Sequence, residues 1–159
     1  MNIIKPRFNY AFRTAESTRD IRNLVDFLAK QDLGYPNYDE WTQRCEHELF
    51  AGYKTGIMAF SDSRLVGDLI FQPHKTLPRV RELKNMRVTR ELQGKYFAKF
   101  MLKQAELGLG KDFNMITCDV PEKERAIREF MVSAGYREIA IIPLYSNDAR
   151  DVVMTKMAA

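Results

Sequence analysis

The chain has 159 residues, of which 45% are hydrophobic and 29% charged, which is typical of one globular domain and excludes a disordered, fibrous or low-complexity chain. No apolar run is long enough to cross a bilayer, and residues 1–10 lack the apolar core of a signal peptide, so we expect a cytoplasmic protein with no membrane partner. The net charge is +4, but the Lys and Arg residues are scattered and do not favour a nucleic-acid partner.

The N-terminal third predicts one strand and two helices. Phe8, Tyr10 and Phe12 alternate with polar or small residues, as in a half-buried strand. Ser17 with Asp20 resembles a capping box, and it opens an apolar helical stripe formed by Ile21, Leu24, Val25 and Leu28. Gly34 and Pro36 end this first helix.

The second helix is predicted from a four-residue recurrence. Asn37 is its expected cap, Trp41, Cys45 and Leu49 form its apolar stripe, and Gly52 closes it. At this spacing Trp41 is expected to belong to the core.

The remaining two thirds predict a succession of strands with two further helices. We expect strands at residues 55–61, 64–72 and 79–88, a helix over residues 94–109, a strand at residues 113–118 and a helix over residues 122–134. Two last strands, residues 136–144 and 151–157, flank a polar turn.

The resulting order is β-α-α-β-β-β-α-β-α-β-β over a single domain, residues 1–159. Strand-helix-strand units in the second half require parallel crossovers, whereas the hairpins require antiparallel pairing. The sequence therefore predicts an α/β fold in which helices flank one mixed sheet.

The segment at residues 88–98 resembles the cofactor motif of the GNAT acetyltransferases. In that motif a strand ending in Val leads through a short loop into R/Q-x-x-G-x-G/A and a helix. Gln93 and Ala98 match its first and last defining positions, and Tyr96 stands at its middle glycine. Backbone N–H groups at the start of such a helix suit a pyrophosphate.

A second stretch, residues 115–136, resembles the later motif of the same family, N-x-x-A-x-x-L-Y followed by G-F. Phe130 occupies the Leu position and Gly135 with Tyr136 the Gly-Phe pair, whereas Met131 stands in place of the Tyr. With the matching order of elements, the resemblance covers nearly the whole chain.

The resemblance implies an acetyl-CoA-dependent N-acetyltransferase in which an amine attacks the thioester directly. The family's pattern implies that the donor is held by the strand residues Met86, Arg87 and Val88 and by the loop residues Gln93, Gly94, Lys95, Tyr96, Phe97 and Ala98. A backbone N–H near Val88 would meet the carbonyl oxygen. Lys95 is equally well read as an ordinary exposed residue.

Glu82 is the candidate general base, because it lies at the distance from the Gln93 loop at which some histone-type members of the family carry their catalytic glutamate. A half-buried carboxylate can have its pKa raised by desolvation. The alternative is a surface Glu paired with Arg81 or Lys84. Asp68 and Asp119, near strands that could border the same cleft, are reserves.

The general acid is open, because Met131 has no proton to give where many members of the family have a tyrosine. Tyr145, in the predicted loop between the last two strands, is a candidate catalytic residue; its ring could also serve packing or line the substrate site. Protonation of the thiolate by water is the other possibility.

The amine is expected to be recognised between the first two helices, where Tyr35 and Tyr38 lie beside acidic residues, a combination that suits a cation. His47 and His74 lack metal-ligand spacing, and Cys45 and Cys118 have the spacing of neither a zinc site nor a disulfide framework, so no metal is predicted.

Two other functions stay open from the sequence. A GNAT-fold module without catalysis would explain Tyr96 and Met131. A basic protein that acts on or binds nucleic acid is supported only by the scattered positive charge. Dimers are frequent in the family, so a homodimer is a further expectation.

Overall fold

The computed structural model describes residues 9–31 and 34–159 as one mixed sheet with helices on both faces. The elements are β1 (Tyr10–Thr14), α1 (Thr18–Ala29), α2 (Tyr38–Phe50), β2 (Thr55–Ser61), β3 (Arg64–Pro73), β4 (Val80–Val88), α3 (Phe97–Ala105), β5 (Met115–Pro121), α4 (Arg125–Ser133), β6 (Arg137–Ser146) and β7 (Ala149–Met157). A short 3-10 turn, Arg90–Leu92, precedes α3. The predicted fold class and order of elements are confirmed; Phe8, predicted in the first strand, lies outside the described residues.

The seven strands lie in the order β1-β2-β3-β4-β5-β7-β6. Every neighbouring pair is antiparallel except β4 and β5, which are parallel and joined through α3. The predicted parallel crossover is therefore present at β4-α3-β5, whereas β7 separates β5 from β6.

Two apolar cores hold the helices against the sheet. On one face, Leu24 and Leu28 of α1 and Cys45 and Leu49 of α2 pack with Met58 and Ile70. On the other face, α3 and α4 pack over the sheet through residues that include Phe97, Met101, Leu102 and Met131. Side chains of successive strand residues therefore point alternately towards α1 and α2 or towards α3 and α4.

Two helix caps behave differently from each other. The Ser17 hydroxyl accepts a hydrogen bond from the Asp20 amide at 3.1 Å, so the predicted cap of α1 is confirmed. Asn37 does occupy the cap position of α2, but its φ is 58° and its side chain makes no capping bond. The prediction that its side chain caps the helix is wrong, because the left-handed backbone replaces the extended conformation of a side-chain cap.

The helix predicted over residues 94–109 is wrong at both ends. Gly94 and Tyr96 have φ values of 75° and 68°, so helical backbone starts only at Phe97. Beyond Ala105 the chain turns, with Gly108 and Gly110 at φ 90°. The helix was predicted too long because Leu109, which lies beyond the end of α3, still packs against the core and so continues the apolar periodicity.

Smaller boundary errors have local causes. β4 starts at Val80, one residue later than predicted, because Arg79 has φ 56°. β5 covers Met115–Pro121, later than the predicted residues 113–118, and α4 starts at Arg125 because Pro121 and Glu124 first form a hydrogen-bonded turn. β6 and β7 extend further into the hairpin turn than predicted, which places Tyr145 within β6.

Candidate functional site: the split between β4 and β5

The sheet opens at its centre because β4 and β5 pair over only three residues. Val80, Arg81 and Glu82 pair with Met115, Ile116 and Thr117, and the rest of β4 pairs only with β3. The two strands therefore leave a wedge between residues 83–88 of β4 and the end of β5.

The backbone of Met86 and Val88 faces this wedge. Thr89 donates its N–H to the Val66 carbonyl of β3 at 2.8 Å. Because backbone polar groups of successive strand residues point to opposite edges, Arg87 also faces β3, and Met86 and Val88 face away from it. An extended ligand can pair with such an edge as an added strand.

Two features shape β4 above the wedge. The register with β3 shifts so that Lys84 has no partner between Leu83 and Asn85, which is a β-bulge and bends the strand. Opposite the strand end, β3 has Gly67, where a Cβ would stand 2.9 Å from the Arg87 carbonyl oxygen. Only glycine allows this close approach.

The loop predicted to hold the donor's phosphates folds back onto β4. The Gln93 side-chain amide donates to the Val88 carbonyl oxygen at 3.1 Å. Tyr96 occupies the left-handed region directly before α3, and the helix N-terminus has no side-chain cap. The first-turn amides of α3 therefore lack a side-chain partner within the described structure, which suits an anion.

The side chains of this loop differ in exposure. Gln93, Gly94, Lys95 and Tyr96 are exposed, and Ala98 is half-buried. Phe97 is buried and contacts the Tyr10 ring edge-on at 4.7 Å between centroids. Phe97 can therefore offer a ligand only its backbone.

The other bank of the wedge carries a hydrogen-bonded pair, Tyr145 and Asp119. The Tyr145 hydroxyl donates to Asp119 Oδ2 at 2.5 Å, and the Tyr35 ring meets the Tyr145 ring edge-on at 5.7 Å between centroids. Burial and the Asp119 carboxylate both raise the pKa of Tyr145. The structure thus brings together Tyr35, Tyr145 and the reserve residue Asp119.

The Tyr35 hydroxyl is close enough to charged groups on both banks of the wedge to be influenced by them. Burial and the charge of Asp151 raise the pKa of its hydroxyl, Arg87 of β4 lowers it, and Asp119 of β5 raises it again. Burial and the Asp119 charge in turn raise the pKa of the buried Asp151, while the Leu144 amide lowers it. Sequence reasoning missed Asp151, for which the pattern offered only an acidic residue at a predicted strand start.

Asp68 lies fully buried beneath the α1–α2 connection. Its carboxylate accepts hydrogen bonds from Gln31 Nε2 at 2.9 Å and Asn85 Nδ2 at 2.6 Å. Burial raises its pKa to about 6 despite these bonds and the Arg87 charge. Both oxygens are occupied, so Asp68 ties the end of α1 to the bulged part of β4.

Tyr38, the first residue of α2, is half-buried like Tyr35 and is held by contacts to both α1 and α2. Its hydroxyl donates to the Leu28 carbonyl oxygen at 2.8 Å, and its ring stacks on Trp41 at 5.6 Å between centroids. Burial and the Asp68 charge raise its pKa to about 12. What Tyr38 offers a ligand is the edge of this stack.

Glu82 is held by two partners on the α1–α2 side of the sheet. Its Oε1 pairs with Lys84 Nζ at 2.8 Å, and its Oε2 accepts from Gln72 Nε2 at 3.0 Å. The buried Lys54 in turn donates to the Gln72 amide oxygen and pairs with Glu48. Glu82 therefore lies at the closed end of the wedge within a polar network.

Met131 is buried in the core between α4 and the sheet. Its side chain thus adds to packing where the family motif has a tyrosine. Within residues 9–31 and 34–159, no three His, Cys, Asp or Glu side chains gather to hold a metal ion. In the same residues, no helix has the length and apolarity that crossing a membrane requires.

The solved structures that resemble this chain in fold include acetyltransferases. A protein from Desulfovibrio desulfuricans assigned to the GNAT acetyltransferase family aligns with a TM-score of 0.77 and 16% identity, over 95% of this chain and all of the other. Spermidine N-acetyltransferase from Vibrio cholerae, in complex with CoA and spermine, aligns with a TM-score of 0.70 and 15% identity, over 94% and 95%.

The ribosomal-protein-S18-alanine N-acetyltransferase from Escherichia coli aligns with a TM-score of 0.69 and 13% identity, over 95% of both chains. No family model matches the sequence, and no curated protein is significantly similar to it. At these identities the likeness is one of fold: the chain has the GNAT acetyltransferase fold along nearly its whole length.

Proposed function

We propose that this chain, which has the GNAT acetyltransferase fold, transfers an acetyl group from acetyl-CoA to a primary amine of a small molecule or peptide. The observation that carries the proposal is the wedge between β4 and β5, where residues 83–88 of β4 have no partner strand on that edge and an uncapped helix N-terminus lies at the end of the wedge. One bound molecule with an extended amide arm and a pyrophosphate would use both features.

The residues at the wedge fit such a donor. Met86 and Val88 offer backbone groups to the amide arm, and Arg87 lies between them. The segment of Gln93 to Ala98 offers backbone N–H groups to the pyrophosphate, with Lys95 exposed beside them. Tyr96 adopts the left-handed backbone that glycine adopts readily, so the backbone path of the loop is kept while a side chain is added.

For acetyl transfer the site has to position the amine against the thioester and to move protons. The amine nitrogen attacks the thioester carbon, and the backbone N–H of Val88 would stabilise the oxygen on which charge develops. The candidate proton carriers are Glu82 at the closed end of the wedge and Tyr145 on the opposite bank. The reaction uses acetyl-CoA as its donor, and we propose the cytoplasm as its location.

The acceptor side supports an amine that carries a positive charge. Tyr35 and Tyr38 line the α1–α2 connection, and Asp119 and Asp151 lie beneath Tyr35. Solved proteins of the same fold act on spermidine and on a ribosomal-protein alanine, as their names state. Aromatic rings beside carboxylates suit either kind of ammonium group.

A module without catalysis is the second candidate, and it is favoured by two side chains. Met131 is buried where a proton donor is expected from the motif, and Tyr96 projects from the phosphate loop with 68% of its surface exposed. Such a module would bind acetyl-CoA weakly or not at all, serve as a sensor or interaction domain, and release no thiol with any amine.

Thermal unfolding with and without acetyl-CoA tests the proposal. A ligand at 100 times its Kd stabilises the folded state by about 2.7 kcal/mol, so the midpoint should rise with acetyl-CoA concentration. Tyr96→Gly should bind the donor more tightly, because it keeps the loop path and removes the projecting ring, whereas Tyr96→Ala keeps the strained backbone and should gain less. Pantetheine, which has no phosphate, should not distinguish the three proteins.

Thiol release with an amine panel that includes spermidine and a peptide with N-terminal alanine then separates the two candidates. Binding with thiol release supports the transferase, and binding without it supports the module. No shift of the midpoint at any donor concentration would contradict the transferase and leave a module that does not bind the donor.

A further inference from the structure

The hydroxyl proton of Tyr145 is already used in a hydrogen bond to Asp119. An ionised carboxylate can only accept hydrogen bonds, so across the 2.5 Å contact with Asp119 Oδ2 the phenol is the donor. What the Tyr145 oxygen still offers is its lone pairs, which accept. A ligand group that meets this oxygen must therefore bring its own proton.

The pair stands on the bank of the wedge that the acceptor would use. Asp119 lies two residues beyond Thr117, the last β5 residue paired with β4. Its neighbours Cys118 and Val120 belong to the core beneath α3 and α4, so Asp119 points to the opposite face, towards Tyr35. Asp119 is half-buried and Tyr145 is exposed, so a ligand reaches the phenol first.

The electrostatics oppose proton donation by Tyr145. Burial and Asp119 both raise its pKa, which makes it a weak acid towards a leaving thiolate. A phenolate beside an anionic carboxylate would also be unfavourable. The reverse direction, in which the phenol oxygen takes a proton as its own proton moves to Asp119, creates no second negative charge.

We propose that Tyr145 carries a proton from the acceptor ammonium to Asp119, with Tyr145 as the catalytic residue that touches the nitrogen and Asp119 as the residue that positions it and receives the proton. This inference rests on the proposed acetyl transfer. It gives Tyr145 the role of proton acceptor in place of a general acid.

One N–H bond of the ammonium breaks, its proton goes to the Tyr145 oxygen, the original hydroxyl proton goes to Asp119, and the electron pair stays on nitrogen. That nitrogen forms a bond to the thioester carbon, and the C–S bond breaks with its electrons on sulfur. A second nitrogen proton ends on the sulfur, and Asp119 returns its proton to solvent.

Glu82 is the competing proton acceptor. Both of its oxygens accept hydrogen bonds, one from the Lys84 ammonium and one from the Gln72 amide, whose oxygen is in turn held by Lys54. Neither of these donors, an ammonium and an amide N–H, can take a proton on from Glu82. Asp119 differs because it accepts its hydrogen bond from the Tyr145 hydroxyl, which can pass on a proton.

Charged and titratable groups surround the pair from two other strands and from one connection. They are Arg87 of β4, Asp151 of β7 and Tyr35 of the α1–α2 connection, with Glu124 near Tyr35 as well. The pH dependence of the rate therefore has to be compared between variants of Asp119 and of Asp151.

A double-mutant cycle with Asp119→Asn and Tyr145→Phe tests the proposal, using acetyl-CoA and whichever of spermidine or an N-terminal-alanine peptide the wild type acetylates. Each variant should lower kcat on the order of 10²-fold, and the double variant no further, because both break one route. The Kd of acetyl-CoA should stay the same. Asp148→Asn, the same charge change in the β6–β7 turn, should leave kcat unchanged.

The rate against pH supplies the second readout. Wild type and Asp151→Asn should lose activity at acid pH, where a protonated carboxyl cannot accept, and Asp119→Asn should lose this dependence. Asp119→Glu should restore part of kcat. If Glu82→Gln removes the acid limb while Asp119→Asn keeps it, or if the two losses multiply, the proposal is overturned.

An absorbance titration of the phenolate tests the pair without activity. The difference between wild type and Tyr145→Phe reports Tyr145, and its ionisation should move to lower pH in Asp119→Asn. If the Tyr145 ionisation does not move in Asp119→Asn, the proposed coupling of Tyr145 to Asp119 is overturned, but acetyl transfer is not. A wild type that acetylates no amine overturns acetyl transfer, and with it the proton route, even where the titration moves.

Discussion

Tyr96 stands at a glycine position of the motif and adopts a backbone conformation that favours glycine. At φ 68° and ψ 2° it adopts the left-handed conformation that favours glycine. For a residue with a Cβ this costs roughly 1–2 kcal/mol. The helix predicted over residues 94–109 included Tyr96; the structure places Tyr96 one residue before the helix, because the turn into α3 requires the left-handed region there.

The free energy of unfolding should depend on pH through the protonation of Asp68. Its pKa is about 6 in the folded protein, and an unfolded Asp has a value of about 3.9. Between these values the folded state binds more protons than the unfolded state, so this group's contribution to stability is fully present below pH 4 and is lost as the pH rises through 6. Two pKa units correspond to roughly 3 kcal/mol.

Denaturant unfolding of wild type and Asp68→Asn at pH 4 to 8 measures this loss. The unfolding free energy of wild type minus that of the variant should fall by up to about 3 kcal/mol between pH 4 and 7 and stay level above pH 7. A difference that does not depend on pH would show that Asp68 titrates as it does in the unfolded chain.

At the scale of elements, the end of β4 is shaped by its neighbour β3. The bulge at Lys84 bends β4, and Gly67 lets β3 pass beneath Arg87 at a distance that no Cβ permits. The sequence predicted both strands closely, because their apolar pattern is local. It could not predict the bulge, which depends on how the two strands pair.

Gly67→Ala should therefore affect both stability and donor binding. The new Cβ would meet the Arg87 carbonyl oxygen at 2.9 Å and Met101 at 3.3 Å, and such crowding costs about 1–3 kcal/mol. Because the displaced backbone is that of the wedge, acetyl-CoA affinity should fall as well. Chemical denaturation and calorimetric binding measure the two effects.

Gly56→Ala is the matched control for this variant. Its Cβ would meet the end of the Leu24 side chain, on the face of the sheet that α1 and α2 cover and α3 does not. It should lower stability while acetyl-CoA binds as before. Equal losses of affinity in the two variants would contradict the assignment of Gly67 to the wedge.

At the scale of the whole molecule, the strand order explains both the wedge between β4 and β5 and the exposed edge formed by β6. The chain makes one parallel crossover at β4-α3-β5 and closes with the β6–β7 hairpin, in which β7 pairs with β5. This leaves β6 at the edge of the described sheet opposite to β1. Its side chains Ile139, Ile141, Ile142 and Leu144 are each at least 40% exposed.

We predict that this edge pairs two copies of the chain as a homodimer. A second β6 presents the same free edge and the same apolar side chains, so two-fold pairing covers both at once. Ile141→Asp with Ile142→Asp should convert the dimer to a monomer in analytical ultracentrifugation, with little change in unfolding midpoint. Leu77→Asp, an equally exposed apolar position elsewhere, should stay dimeric; a monomeric wild type would contradict the prediction.

The sequence alone determined the types and order of the elements and the loop at residues 88–98. These depend on periodicity, glycines and spacing over a few neighbouring residues, which act locally along the chain. It also proposed Glu82, Tyr35, Tyr38 and Tyr145 for the site, and these roles stay predictions.

Only the tertiary structure decided where the site opens and which groups meet in it. The wedge exists because β4 and β5 diverge after Glu82, and Tyr145 reaches Asp119 across 26 residues of sequence because β7 carries β6 alongside β5. Such contacts depend on strand order, bulges and burial, which act between distant segments. The same cause separates Glu82, enclosed by Lys84 and Gln72, from the exposed bank where Tyr145 and Asp119 lie.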